Sequence, residues 1–264
     1  MTPDERDASV ADEPSVPAAV PATGSGRPAK PERSHLPIWQ ETLLLLAVAV
    51  VLAVVIKAVL VQAFYIPSES MEPGLVENDR ILVQKWSYWT GSPERGDVVV
   101  FEDPGGWLGD DESTGPSNGF TKALAKVGLF PSGGHLVKRV IGIAGDTITC
   151  CDAEGRISVN GVALDESDYV KDEEGVDCAG PMTGNCSWTV ERVPEGTVFV
   201  MGDNRAHSAD STSHMCTDGE TECHKNPYVD VDLIVGKVWV LLWPFSRFGG
   251  VNGGDAFDKV PDPK

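Results

Sequence analysis

Between Leu43 and Val61 the chain is almost wholly Leu, Ala, Val and Ile. As a helix, this run of about 19 residues is about 28 Å long, enough to match the hydrocarbon core of a bilayer. A transmembrane anchor is therefore expected over 41–63, with Lys57 near its outer end snorkelling to the interface. Val61-Gln62-Ala63 resembles a small-x-Ala cleavage site, so a removable signal peptide is the competing reading. The long polar segment before the run, and its length beyond a usual signal core, favour an uncleaved anchor. Residues 1–40 are dominated by Asp, Glu, Ala, Pro, Ser and Gly and lack the apolar surface to fold, so a disordered tail is expected. Arg27, Lys30 and Arg33 precede the run, and Glu69, Glu72, Glu77 and Asp79 come after it. The positive-inside rule then places the tail in the cytoplasm and everything after the single span outside it, at the cell membrane.

The chain beyond the anchor reads as mainly β. Short β-branched segments, Arg80 to Lys85, Asp97 to Phe101, His135 to Ile148, Thr197 to Met201 and Val235 to Trp243, are separated by turns drawn from 28 glycines and 19 prolines. The last is too short and too closely bounded by Pro244 to be a second span. Asp103 to Gly134 reads as a loop insertion, with Thr121 to Phe130 its one segment apolar enough for an element. Arg156 to Gly161 and Trp188 to Val190 suggest a separate small β unit. The expected organisation is a catalytic core over 64–148 and 198–249, an inserted β cap over 149–197, and a flexible tail over 250–264. Trp86, Tyr88 and Trp89 are candidates for contact with lipid headgroups. A formal charge of −19 argues against a nucleic-acid partner, which would need clustered Lys and Arg.

All six cysteines, Cys150, Cys151, Cys178, Cys186, Cys216 and Cys223, lie beyond the anchor, which favours disulfides in an exported domain. Cys178 with Cys186 and Cys216 with Cys223 are the local pairings to test first. The spacings lack a CxxC, and His207, His214 and His224 form no pair at helical spacing, so neither a metal nor a cofactor is expected.

Directly beyond the anchor stands Tyr65-Ile66-Pro67-Ser68-Glu69-Ser70-Met71-Glu72-Pro73-Gly74-Leu75. Prolines on both sides and the absence of any periodicity read as a rigid loop able to hold a hydroxyl in one direction. Two further stretches complete a set: Lys138-Arg139-Val140-Ile141-Gly142 and Gly202-Asp203-Asn204-Arg205-Ala206-His207-Ser208-Ala209-Asp210-Ser211. In order, behind an anchor and followed by Gly236-Lys237 and Trp243-Pro244, they resemble type I signal peptidase. That family consists of membrane-bound Ser-Lys endopeptidases that remove signal peptides from exported preproteins. The resemblance runs from about Ala63 to Gly249, apart from the two loop-rich insertions.

The chemistry explains the residue types. A serine hydroxyl needs a base, and lysine can serve only if neutral. Its free pKa near 10.4 would have to fall by about three units, or about 4 kcal/mol, which burial among Leu136, Val137, Val140 and Ile141 could supply. The resemblance implies Ser70 as nucleophile and Lys138 as general base. It makes the Ser68 hydroxyl and the Ser70 N–H the oxyanion-hole donors, Ser208 the residue that orients the lysine, and Arg139 with Asp203 a structural ion pair. It places Ile66, Met71, Leu75, Leu136 and Val137 around the pockets that accept Ala-x-Ala.

The chain departs from the family pattern at several positions. Glu69 stands where the family often has a smaller residue, and His207 and Thr212 stand where it usually has Asn and Arg. Asp210 thereby loses its expected partner, which Arg205 could replace, and His207 becomes a rival base. The implied partners are signal peptides and the lipid bilayer. From Ala63 to Ser70 the chain spans at most about 25 Å, which keeps the serine near the headgroups. Two alternatives stand beside this reading: a related anchored Ser-Lys peptidase with a dedicated substrate, and a non-catalytic anchored β module. Preprotein cleavage compared with that of Ser70→Ala separates all three.

Overall fold

The computed structural model describes residues 37–109, 134–171, 186–216, 225–251 and 253–263. The expected tail before Pro37, the Thr121 to Phe130 element, and the residues Cys178 and Cys223 lie outside these, as does the side chain of Lys57. A helix α1, Ile38–Val59, leads into eleven strands among the described residues. It is long and apolar enough to cross a membrane, and Leu43, Leu46, Val50 and Val54 along it are exposed. The helix ends before Val61, two residues sooner than the apolar run suggests. Val61-Gln62-Ala63 instead begins β1, Val61–Tyr65, where the apolar run by itself predicts more helix. β1 pairs antiparallel with β2, Arg80–Gln84, from Val61 opposite Gln84 to Tyr65 opposite Arg80.

The remaining strands are β3 (Val98–Glu102), β4 (His135–Ile143), β5 (Ile148–Cys150), β6 (Ser158–Val159), β7 (Val162–Ala163), β8 (Trp188–Val190), β9 (Thr197–Met201), β10 (Val229–Asp230) and β11 (Ile234–Trp243). Seven form one antiparallel sheet in the order β1-β2-β11-β3-β4-β9-β10, and four form a second in the order β7-β6-β5-β8. β3 reads Val-Val-Val-Phe and is buried on both faces, which suits its place between β11 and β4. The register of β3 on β4 decides what the site looks like. Val99 and Phe101 lie opposite Lys138 and Leu136, whereas Val98 and Val100 lie opposite Arg139 and Val137. Residues paired across a sheet share a face, so Lys138 and Arg139 point to opposite sides of the same strand.

Two expectations change here. The small sheet is distinct, but it is not a separate unit: Ile148, Ile157, Val159, Trp188 and Val190 share one core with Ile141, Phe199 and Met201 of the large sheet. The segment after Gly250 is not a flexible tail either. Phe257 and Val260 are buried in that same core, and the Pro261 carbonyl accepts hydrogen bonds from Arg95 and Asn160. Both segments supply large apolar side chains to a core that would otherwise be open to water. Cys150 and Cys151 are bonded to each other, and Cys186 and Cys216 are each in a disulfide.

Candidate active site

The loop between β1 and β2 is pinned from below and behind. Ile66, Met71 and Leu75 are buried together with Ile81, Val83 and Val98. Ile66 N–H donates to the Asp79 carbonyl at 2.9 Å, and Asn78 N–H donates to the Ile66 carbonyl at 3.0 Å. Arg247 closes the loop from outside by donating to the Pro73 and Gly74 carbonyls at 3.0 and 2.9 Å and to Asp79 at 2.9 Å. Three apolar anchors and these backbone bonds leave Ser70 little freedom.

Ser70 is buried, and the Lys138 amine donates to its Oγ at 2.7 Å. The Ser68 hydroxyl lies 3.3 Å from the same oxygen. Lys138 is itself buried. Leu136 and Val140 flank it on its own face, and Val99 stands opposite. Val137 and Ile141, part of the same apolar run in sequence and expected to help dry the amine, face the other way. The five expected pocket residues divide along the same line: Ile66, Met71, Leu75 and Val137 pack together, whereas Leu136 belongs to the cluster of Val99, Phe101 and Val140.

The turn after β9 closes over the serine. Gly202 is the one residue that fits there, because a Cβ would collide with Ser208 Oγ and the Ser70 carbonyl. Ser208 Oγ donates to Asp210 at 2.6 Å, which leaves its lone pairs to accept from another donor. Asp210 also accepts from Gly202 N–H at 2.9 Å, Thr212 N–H at 3.0 Å and the Thr212 hydroxyl at 2.7 Å. Thr212 thus occupies a carboxylate oxygen where an arginine was expected. Arg205 does not substitute for that arginine: it forms a bidentate pair with Glu166 at 2.9 and 2.6 Å. His207, the rival base, is half exposed with Nδ1 2.8 Å from Glu69.

Arg139, on the opposite face of β4, donates twice to Asp203 at 2.7 Å and to the Gly96 carbonyl at 2.9 Å, with the Tyr169 ring 4.1 Å from its guanidinium carbon. Tyr169 donates to Glu166 at 2.6 Å. Burial acts to raise the Glu166 carboxyl, but the charge and hydrogen bonds of Arg205 outweigh it and hold the group below the usual carboxylate range. Lys171 N–H donates to the Asp203 carbonyl, its amine reaches Glu72 at 3.0 Å, and Val170 bridges to Pro73. Sequence reasoning missed Glu166, Tyr169 and Lys171, which lie in an acidic, aperiodic stretch. The one signal was Arg205 itself, a cation in a turn rich in buried groups that had to find an anion.

The model of the family described as signal peptidase, peptidase S26, matches residues 39–243. Signal peptidase I of Mycobacterium tuberculosis is 38% identical over 248 residues, covering 87% of this chain and 79% of that protein. The probable signal peptidase I of Mycobacterium leprae is 37% identical over 258 residues, covering 89% and 85%. Signal peptidase I of Leptolyngbya laminosa is 32% identical over 237 residues, covering 89% and 92%. A β-built domain behind a membrane-length helix, with this kinship, is a membrane-anchored serine endopeptidase. The chain belongs to the signal peptidase family, peptidase S26, and its substrates are preproteins that carry signal peptides.

Proposed function

We propose that Ser70 and Lys138 form the catalytic dyad of this signal peptidase. The unprotonated Lys138 amine accepts the Ser70 proton as Oγ attacks the scissile carbonyl. The Ser68 hydroxyl and the Ser70 N–H receive the charge that develops on the carbonyl oxygen. The Lys138 ammonium then returns its proton to the leaving amine, and the same amine activates the water that releases the acyl group. Ser208, its own proton committed to Asp210, is the acceptor assigned to orient the Lys138 amine. Arg139, Asp203 and Asp210 hold the frame. The observation that carries this reading is the 2.7 Å separation of two buried groups, the Lys138 amine and the Ser70 hydroxyl.

Substrate selection follows from the apolar loop floor. Ile66, Met71, Leu75 and Val137, which pack together, line the apolar site for small side chains of an Ala-x-Ala sequence, and larger side chains are rejected by overpacking. Leu136 serves the lysine side instead. Residues 64–148 and 198–249 act as the two halves of the catalytic core, with 149–197 as the cap.

The domain is held at the outer face of the membrane by one span with its N-terminus in the cytoplasm, and aromatic side chains meet the lipid. Trp86, Trp89, Trp239, Trp243, Phe245 and Phe248 are exposed, with ring centroids of Trp86 and Trp239 6.0 Å apart and of Trp243 and Phe245 4.9 Å apart. Such rings partition to the headgroup level.

The test is cleavage of a preprotein by the full chain in detergent. Wild type releases the mature protein with a new N-terminus after Ala-x-Ala, and Ser70→Ala does not. Undiminished cleavage by Ser70→Ala would discard the nucleophile assignment.

A further inference from the structure

We infer that Asn204 is a positioning residue for the oxyanion hole, because it holds the Glu69–Ser70 peptide group, whose N–H is the donor assigned above to the developing charge. The inference rests on the dyad reading above. Asn204 is fully buried in the turn after β9 and grips the serine loop twice. Its side-chain Nδ2 donates to the Glu69 carbonyl at 3.2 Å, and its backbone N–H donates to the Ser70 carbonyl at 3.0 Å. The Glu69 carbonyl and the Ser70 N–H belong to one planar peptide unit. A donor on the carbonyl end therefore sets the rotation of the N–H at the other end. It also draws electron density toward the carbonyl oxygen and strengthens the N–H as a donor.

The remaining atom of the amide supports this orientation. Asn204 Oδ1 is buried and has no hydrogen-bond partner among the described residues. Turning the amide over would set Oδ1 against the Glu69 carbonyl oxygen, two acceptors facing each other. The side chain can support the loop in one orientation alone. Glu69 is held a second time by His207, whose Nδ1 lies 2.8 Å from its carboxylate. That contact is half exposed, whereas Asn204 itself is buried in the turn beside the serine loop.

The experiment is steady-state cleavage of a preprotein across pH by the full chain in detergent, for wild type, Asn204→Ala and Asn204→Ser, each with its melting curve. Neither replacement can reach the Glu69 carbonyl with an amide N–H, while the backbone bond to Ser70 remains available. The expected result is a fall in kcat of about 10- to 100-fold, short of the loss seen when a donor is itself deleted. KM should stay within about twofold, and the acidic limb of the pH profile should stay where wild type has it, since Lys138 is untouched. A kcat near wild type in a folded variant overturns the inference. So does a fall in kcat accompanied by a displaced acidic limb, because the residue would then act through the lysine. If Asn204→Ala fails to fold, Asn204→Ser carries the same test. Ser70→Ala and Lys138→Ala are run alongside. Activity surviving in those two sinks the dyad itself, whereas their inactivity together with an unimpaired Asn204→Ala sinks this inference alone.

Discussion

Lys138 and Arg139 are neighbours on one strand, both buried, and the two faces they occupy have opposite character. On the arginine face the charges are matched by bidentate geometry: Arg139 with Asp203, and Arg205 with Glu166. A guanidinium stays protonated at any working pH, so that face holds fixed charges and serves as a frame. On the lysine face the amine lies against a hydroxyl at 2.7 Å, beside Leu136, Val140 and Val99. Lysine, unlike arginine, changes its protonation state when water is removed. One strand thus separates a face of paired charges from the face on which the proposed dyad would move a proton.

The sharpest way to break this contrast is Lys138→Arg. It places a permanent cation at the position, one that cannot accept a proton, so kcat/KM on a preprotein should fall by at least about a thousandfold, as far as with Lys138→Ala. An Arg variant with useful activity would mean that a fixed charge is all the site requires. Lys138→Met should be as inactive while its unfolding free energy stays within about 1 kcal/mol of wild type, since an apolar chain replaces a buried ionisable one.

The opposite face should answer in stability rather than in rate. Asp203→Ala leaves Arg139 buried without its carboxylate, and the expected loss is about 3 to 5 kcal/mol, read from chemical unfolding in detergent. Glu166→Gln should cost about 3 kcal/mol at neutral pH by the same reasoning, and here pH sharpens the test. The folded Glu166 carboxyl lies below its ordinary value, so its stabilising contribution is complete above about pH 5. That contribution is lost as pH falls through the lower, folded value. The gap between wild type and Glu166→Gln should therefore be constant from neutrality to about pH 5 and close below it. A gap that persists in acid would show that the glutamine perturbs packing rather than charge.

The same contrast explains what could be read from the sequence. Ser68, Ser70, Lys138 and the Gly202 turn were legible only through the resemblance to signal peptidase: a loop serine or a strand lysine taken alone reads as a turn residue or a snorkelling cation, and the three motifs in order are what single them out. Strands β2, β3, β4, β9 and β11 follow from runs of β-branched residues bounded by glycine and proline. β1 did not, because it begins on the last residue of the anchor's apolar run and five residues are too few for alternation to stand out from what precedes them. Nor could the facing of β4 be read, since Leu136 to Ile141 are apolar on both sides and only pairing with β3 shows which of them share the amine's face. Glu166, Tyr169 and Lys171 are invisible for another reason: they sit about 30 residues from Arg139 and Asp203 in sequence, in a segment with no period, and acquire a role only through tertiary contact.

The smallest expected effect tests where the frame ends. Lys171 reaches Glu72, two residues past Ser70, and both side chains are partly open to solvent, at 32% and 25%. An ion pair so exposed is screened by water and salt and is worth less than about 1 kcal/mol, far below either buried pair. Yet the Lys171 backbone also donates to the Asp203 carbonyl, and Val170 bridges to Pro73, so the segment touches both the serine loop and the frame. Lys171→Met removes the charge and keeps those backbone bonds, so stability should change by under about 1 kcal/mol and kcat by less than about twofold. Lys171→Pro removes the N–H donor as well, and should lower stability by more than the Met variant does. Equal effects from the two would mean that the side chain, not the backbone, joins the cap to the charged face.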